Sequence, residues 1–470
     1  MLSVLSHVAP FVPWLRKYRA SHLRADVTAG LTVAVVAVPQ SMAYALIAGL
    51  PVQYGLYASI VPTIAACLWG SSAHLITGPT TAVSLVVFTS LAGLAPAGTP
   101  QYVELAFTLA LIVGAIQIGM GLARLGVFLN FVSHSVILGF SAGAAVLIGF
   151  KQVPNFLGLA SGGGGSFLTS LLDTLHRLGD THFMTLALGL LTVALIVALK
   201  RYRPAWPGTL IAMLVSGVLV GVFDLADRGV AVVGAVPRSL PPFHFPAASL
   251  SENFGRLAPG ALAVAVLGLV EAVSIAKSIA GQTRQRLDID QEFLGQGLAN
   301  IAAAFFSGYP GSGSFTRSAV NFRSGGRTPV SGIVSGLAVA AAVLVAAPLA
   351  ANLPVAALAG VLLVVAVEMI HVDDIRRTIR ATRNDAAVLA LTFLSTLLLN
   401  IEFAVYVGVL LSIGLHLKTT SHPRIYSTAP DFISGKMVAA SHGRTCCQMD
   451  IIRVEGSIFF GSAAYVLEDL

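Results

Sequence analysis

The amino-acid sequence predicts an all-α polytopic membrane protein whose segments form two inverted halves, followed by a small α/β segment at the C-terminus. Three observations lead there. Of its 470 residues, 56% are hydrophobic and 10% charged, and the mean hydropathy is +0.84. Soluble domains carry about 25% charged residues, and no soluble fold of this length buries so much apolar surface. Long apolar runs recur from residue 26 to residue 417, where a span takes about 20 apolar residues. Finally, two stretches from the two halves of the chain resemble each other in order and spacing.

Taken in order, residues 1–25 carry Arg16, Lys17, Arg19 and Arg24 ahead of the first apolar run. That run is too long and too polar at its centre for the core of a leader, so no cleavable signal peptide is expected. Spans are predicted near 27–48, 55–69, 103–122, 131–150, 183–199, 207–223, 259–280, 331–349, 354–370, 385–400 and 402–417. Segments 78–95, 292–306 and 314–324 are shorter or interrupted by Gly, Pro, Ser and Thr. In lipid such segments are tolerated only where neighbouring protein or a wet cavity satisfies the freed backbone groups. With them the count is about 14 membrane segments, an even number. The Gly/Ser stretch at 161–166 and the Pro-rich loop at 224–258 read as irregular connectors. Beyond Lys418, residues 419–445 are polar and turn-rich, 449–460 read as two short strands around a Gly turn, and 462–469 as the start of a helix. The expected organisation is an N-terminal segment (1–25), a transmembrane domain (26–418, with halves near 26–223 and 259–418) and a linker with soluble β/α material (419–470).

The net charge of +7 sits in short loops: the N-terminal segment, Arg124, Lys200 to Arg203, Arg284 with Arg286, Arg323 with Arg327, and Arg376 to Arg383. In an even-numbered arrangement these fall on one side. The positive-inside rule makes that side the cytoplasm, with both termini there, as in a multi-pass protein of the inner (cytoplasmic) membrane. The basic excess is therefore an orientation signal, not a nucleic-acid one. Cys67, Cys446 and Cys447 make no disulfide framework. No His/Cys set of ligand spacing surrounds the adjacent pair, and the histidines form no cluster, so no metal is expected. Without a Walker motif, nucleophile elbow or HExxH helix, neither an enzyme nor a nucleotide-driven pump is expected, and no cofactor.

The internal repeat locates a site. QSMAYALIAG (40–49) resembles AVSIAKSIAG (272–281), and GPTTAV (78–83) resembles FTRSAV (315–320), with Thr81 matched to Ser318 and Ala82-Val83 to Ala319-Val320. Two halves of about seven segments are inverted, because an odd number makes the second enter from the opposite side. Short helices that begin inside the bundle present unpaired N–H groups and a partial positive charge, and two such starts facing each other form an anion site. Thr80 and Thr81 belong to one start, with Pro79 suited to a first helical turn. Ser314, Phe315 and Thr316 belong to the other. Arg317 follows at once. A guanidinium inside an apolar bundle is functional by default, and it either neutralises an anion directly or fixes the site by pairing with a neighbour. Glu271 is the other charge within the spans, read either as a proton carrier or as a packing carboxylate bonded to backbone. Lys277, further along that span, is read as snorkelling to the interface.

Longer motifs carry a resemblance. VQYGLYAS (52–59) followed by WGSS (69–72), VPQSMAYALIAG (38–49), GQGLANIAAAFFSGYP (295–310) and GSFTRSAVNFRSGGRT (313–328) resemble the sulfate permease (SulP) family. That family takes in bacterial anion permeases, plant sulfate transporters, pendrin and prestin. The resemblance covers nearly the whole chain from residue 20. It implies two inverted repeats of seven segments divided into core and gate domains, a homodimer, and an anion held between the third and tenth segments. Carried over, the site takes Gln40 and Tyr44 from the first segment, Thr80 with Thr81 from the third, Glu271 from the eighth and Ser314 to Arg317 from the tenth. RVEGSIFFGSAAYVLEDL (453–470) resembles the opening of the family's cytoplasmic STAS domain. Ala73 and His74 stand where the family usually has a basic residue. The implied function is secondary transport of a small anion (a sulfate-like oxyanion, bicarbonate or a dicarboxylate) by alternating access, with protons as the coupling partner. Exchange, sodium-linked bicarbonate uptake and an anion channel are the alternatives.

Overall fold

In a computed structural model the described residues are 10–16, 18–126, 133–159, 167–203, 206–399, 401–421, 423–431, 436–439, 451–456 and 460–469. In chain order the elements are α1 (Phe11–Arg16), α2 (Ala20–Ile47), α3 (Val52–Tyr57), α4 (Val61–Trp69), β1 (Thr77–Gly78), α5 (Thr81–Ala92), α6 (Pro100–Leu122), α7 (His134–Leu157), α8 (Phe167–His176), α9 (Phe183–Tyr202), α10 (Gly208–Val222), α11 (Ala247–Thr283), α12 (Ile289–Phe305), β2 (Ser312–Gly313), α13 (Phe315–Arg323), α14 (Val330–Ala351), α15 (Val355–Met369), α16 (Val372–Ala381), α17 (Arg383–Leu398), α18 (Ile401–Thr420), β3 (Arg424–Asp431), β4 (Lys436–Ala439), β5 (Ile451–Glu455) and α19 (Phe460–Asp469). Seven helical segments among the described residues are long and apolar enough to cross a membrane by length and composition.

Most predicted spans coincide with helices, and the departures have local causes. The span expected near 55–69 is two helices, α3 and α4, broken at Ala58 to Ile60. Pro62 lies in the first turn of α4, and its missing N–H leaves the carbonyl of Ala58 without a helical donor. Segment 292–306, expected to be shorter or interrupted, is short but continuous, the 17-residue helix α12; its glycines are absorbed by tight packing against Gly70, Gly114 and Ile118. The loop expected over 224–258 ends at Pro246, where α11 begins. Its irregular part is tied to the α14–α15 turn, Val233 N–H donating to the Leu353 carbonyl at 2.9 Å and Val355 N–H to that of Ala231 at 2.9 Å. Residues 419–445 hold strands β3 and β4 where turns were expected. The 161–166 stretch and Cys446 with Cys447 lie outside the described residues.

The helices pack as two groups. One holds α2 to α6 with α11 to α14; the other holds α7, α9, α10, α15, α17 and α18. Contacts recur in mirrored pairs. The packing of α2 on α14 is answered by α11 on α6, α2 on α13 by α11 on α5, and α10 on α9 by α18 on α17. Helices α4 with α12 and α7 with α15 pair across the same pseudo-two-fold, and β1 pairs with β2 at its centre. This is the internal symmetry of an inverted repeat. The C-terminal strands form an antiparallel sheet, order β4-β3-β5, in which Tyr426 faces Arg453 and Thr428 faces Ala439.

Candidate functional site

Strands β1 and β2 are two residues each, antiparallel, with Thr77 opposite Gly313 and Gly78 opposite Ser312. A helix starts directly after each. Thr80 caps α5, its Oγ1 accepting from Val83 N–H at 3.4 Å; Ser314 stands at the cap of α13 without a side-chain cap bond. The first amides of α5 and α13 have no intrahelical acceptor, so both helix starts present N–H groups and positive dipole ends around one small ladder. Two glycines make the approach possible. A Cβ on Gly311 would strike the backbone of Gly78, and a Cβ on Gly78 (φ 154°) would strike the Arg317 guanidinium.

Two expectations are corrected here. By helix start, Thr81 is equivalent to Phe315, the first residue of each helix, and not to Ser318. A slip of this size is close to one helical turn and keeps the same face, which is how an Ala-Val match in an Ala-rich sequence misleads. Pro79 lies before the cap, outside the first turn of α5, and its carbonyl serves as an acceptor.

That acceptor belongs to Arg317. The side chain is fully buried and reaches from α13 across the ladder, Nη2 donating to the Pro79 carbonyl and Nη1 to Ser59 Oγ at 3.3 Å. Ser59 Oγ in turn pairs with Ser41 Oγ at 2.6 Å. Its Nε–H has no acceptor among the described residues. Of the two readings of this arginine, pairing with neighbours is realised in the geometry, and the positive charge stays between the two helix starts.

Around it, Gln40, Tyr44, Thr80, Thr81 and Ser314 are all buried. Tyr44 lies one turn beyond Gln40 on α2, beside Thr81. The Gln40 Oε1 is buried without a donor among the described residues. Thr80 Oγ1 donates to Glu271 Oε2 at 3.0 Å, so Glu271 on α11 is bonded to the cap of α5. Phe315 and Thr316 behave differently: both are exposed, Phe315 by 59%, on the face of α13 turned away from Arg317 and Ser318. Lys277 is exposed further along α11.

Sequence reasoning missed the support. Helix α12 carries Glu292, Gln296 and Asn300 at i, i+4 and i+8 along one buried face. Glu292 Oε2 accepts from Ser71 N–H at 2.9 Å and Ser72 N–H at 3.0 Å. Gln296 Nε2 donates to Thr77 Oγ1 at 2.8 Å. Asn300 accepts from Gly311 N–H at 2.8 Å and donates to the Gly311 carbonyl at 3.2 Å and to Gln117 Oε1 at 2.8 Å. One helix thus holds the loop after α4, strand β1 and the entry to β2. The signal was present, since three polar side chains at helical spacing stand out in an apolar run. Ser59 was missed for a different reason, being exposed to Arg317 only by the break before α4.

A polytopic helical bundle with two short helices starting from a shared ladder at its pseudo-two-fold has the architecture of an inverted-repeat secondary transporter. The chain belongs to the sulfate permease family, a family of anion transporters, whose profile matches residues 23–392. It is 32% identical over 451 residues to the putative sulfate transporter YvdB of Bacillus subtilis, covering 95% of this chain and 82% of that protein. It is 31% identical to the chloroplastic sulfate transporter 4.1 of Arabidopsis thaliana, covering 98% and 68%. Among solved structures, the transmembrane domain of the cyanobacterial bicarbonate transporter BicA matches with a TM-score of 0.72 at 27% identity, covering 84% of this chain and 99% of that one. SLC26A9 shares the fold with a TM-score of 0.88 at 22% identity, covering 99% and 77%.

Proposed function

We propose that this chain is a secondary carrier that moves a small anion by alternating access to one site between the starts of α5 and α13. The observation that carries the reading is the pairing of those starts with Arg317 buried between them. Open amides and a fixed cation stabilise a negative guest. In this reading the first-turn amides of Thr81 and Phe315 face the anion, with Thr80, Ser314, Gln40 and Tyr44 lining the pocket and the exposed Phe315 and Thr316 forming its outer mouth. Movement of the group containing α7, α9 and α15 against the group containing α5 and α13 alternates access. Residues 26–418 form the transport domain, with both termini cytoplasmic in a cell's inner membrane, and the carrier is a homodimer.

Glu271 supplies the coupling. It accepts from Thr80 at the cap of α5, so its protonation is sensed at the helix that faces the anion. A proton on this carboxyl as the anion binds lowers the net charge buried during transit. Names of relatives narrow the substrate panel to sulfate-like oxyanions and bicarbonate, with dicarboxylates as the third class to compete. The deciding experiment is uptake into proteoliposomes by wild type and Glu271→Gln, with and without an inward proton gradient. Uptake by the variant is expected to lose its response to the gradient. A variant that still follows the gradient overturns proton coupling, and dependence on external sodium in wild type replaces it with sodium-linked uptake.

A further inference from the structure

Helix α16 joins α15 to α17, the segments expected to span near 354–370 and 385–400, and none of its residues is buried. It packs on α17 and touches α7. At 100° per residue, Val372, Ile375 and Ile379 fall in a stripe about 60° wide, and Val372 and Ile379 are 48% and 53% exposed. Arg376 and Arg380 lie along one edge of that stripe, and Arg383 follows at the start of α17. Arg377 has a partner in Asp374 at 3.9 Å. Arg376, Arg380 and Arg383 have no carboxylate within ion-pair distance among the described residues. The neighbouring end of α15 carries Glu368, paired with Lys200 of α9 at 2.7 Å and partly exposed. Charged side chains at the ends of apolar helices seek the membrane interface, so this pair places that interface near the α15–α16 junction. An apolar stripe edged by unpaired arginines, tethered at that level on both sides, has the composition of a helix lying in a membrane interface.

We propose that α16 is a docking surface for anionic lipid headgroups. Val372, Ile375 and Ile379 enter the acyl boundary, while Arg376, Arg380 and Arg383 hold phosphate-bearing headgroups beside it. Charge complementarity and tethering at the bilayer surface argue for lipid over a protein partner. Arginine suits the role because its fork accepts phosphate oxygens in pairs, and each basic residue near an anionic surface strengthens attachment about fivefold.

The test uses the full chain carrying Cys446→Ser, Cys447→Ser and Ile379→Cys, labelled with an environment-sensitive fluorophore; Cys67 is buried. The protein is reconstituted in vesicles of phosphatidylcholine alone or mixed with phosphatidylglycerol. Quenching by acyl-chain spin-labelled lipid is expected to be strong in the mixed vesicles and weaker in phosphatidylcholine. Replacing Arg376, Arg380 and Arg383 with Gln removes the difference, and replacing them with Lys retains most of it. Equal lipid quenching in both vesicle types overturns headgroup recognition. Quenching by aqueous iodide alone overturns insertion and points to a soluble partner or to water over the helix. If the Gln variant fails to insert, the wild-type comparison between vesicle types decides the question alone.

Discussion

The two helix starts share a backbone and divide the chemistry. Around α5 the chain is apolar and closed: residues Thr81 to Val87 are all buried, and the cap is a threonine bonded on one side to its own helix and on the other to Glu271. Around α13 only Arg317, Ser318 and Asn321 of the helix are buried, the cap serine makes no cap bond, and Phe315 and Thr316 face outward. Pseudosymmetry therefore sets where the two dipoles point, while the side chains are distributed unequally. The α5 start is a fixed wall wired to the carboxyl, and the α13 start supplies the full charge and the open face. In the carrier we propose, an anion between them is held from one side by a rigid cap and from the other by a helix with room at its mouth.

The comparison breaks most severely at Arg317. Arg317→Ala removes the full charge of the α13 side and leaves the Pro79 carbonyl and Ser59 without their buried donor. Losing a buried charge-assisted contact of this kind costs about 2–5 kcal/mol, so binding of every anion is expected to weaken about 30-fold or more, read by isothermal titration on purified protein. Unchanged affinity would sink the assigned role. Arg317→Lys keeps charge without the fork that spans Pro79 and Ser59, and is expected to fall between the two.

Support from α12 is next in size, and it is also unequal. Asn300 holds the β2 side by two bonds to Gly311 and a third to Gln117, whereas Gln296 holds the β1 side by one bond to Thr77. Asn300→Ala leaves both polar groups of Gly311 buried and unpaired, costing upwards of about 2 kcal/mol at about 1–3 kcal/mol per orphaned group. Gln296→Ala is expected to cost about half as much, since Thr77 loses one neutral partner. Chemical denaturation in matched micelles measures both. Equal losses would mean that the two strands are held alike.

How much of this was legible in the sequence follows from the range of each cause. Hydropathy is local, so the membrane class and most helix positions could be read directly, and the Gly, Pro, Ser and Thr of 78–95 and 314–324 marked α5 and α13. Register between the halves is not local. The Ala-Val match slid the alignment by almost a turn, and the starts of α5 and α13 place Thr81 against Phe315. Side-chain direction is not local either. Thr316 sits beside Arg317 in the chain, yet it turns outward because α13 packs its Arg317 and Ser318 face against α2 and the ladder. Ser59 reaches the arginine through a helix break that an apolar run conceals, although Pro62 was there to signal it.

The smallest expected effect sharpens the wall side of the comparison. Thr80→Ala removes a 3.4 Å cap bond to Val83 and the 3.0 Å donor to Glu271. The cap contributes about 1 kcal/mol, and a bond this long contributes toward the low end, so the fold should survive with a small loss of stability. Affinity for anions should fall only severalfold, because the amides of the first turn and Arg317 remain. What should change is the coupling. With the hydroxyl gone, Glu271 loses its link to the helix that faces the anion, and the gradient dependence of uptake should shrink while gradient-free exchange persists. Thr80→Ser restores both bonds and should restore the dependence. A Thr80→Ala protein with full proton response would show that Glu271 acts without the α5 cap, and the division between a wired wall and a charged mouth would then reduce to the position of Arg317 alone.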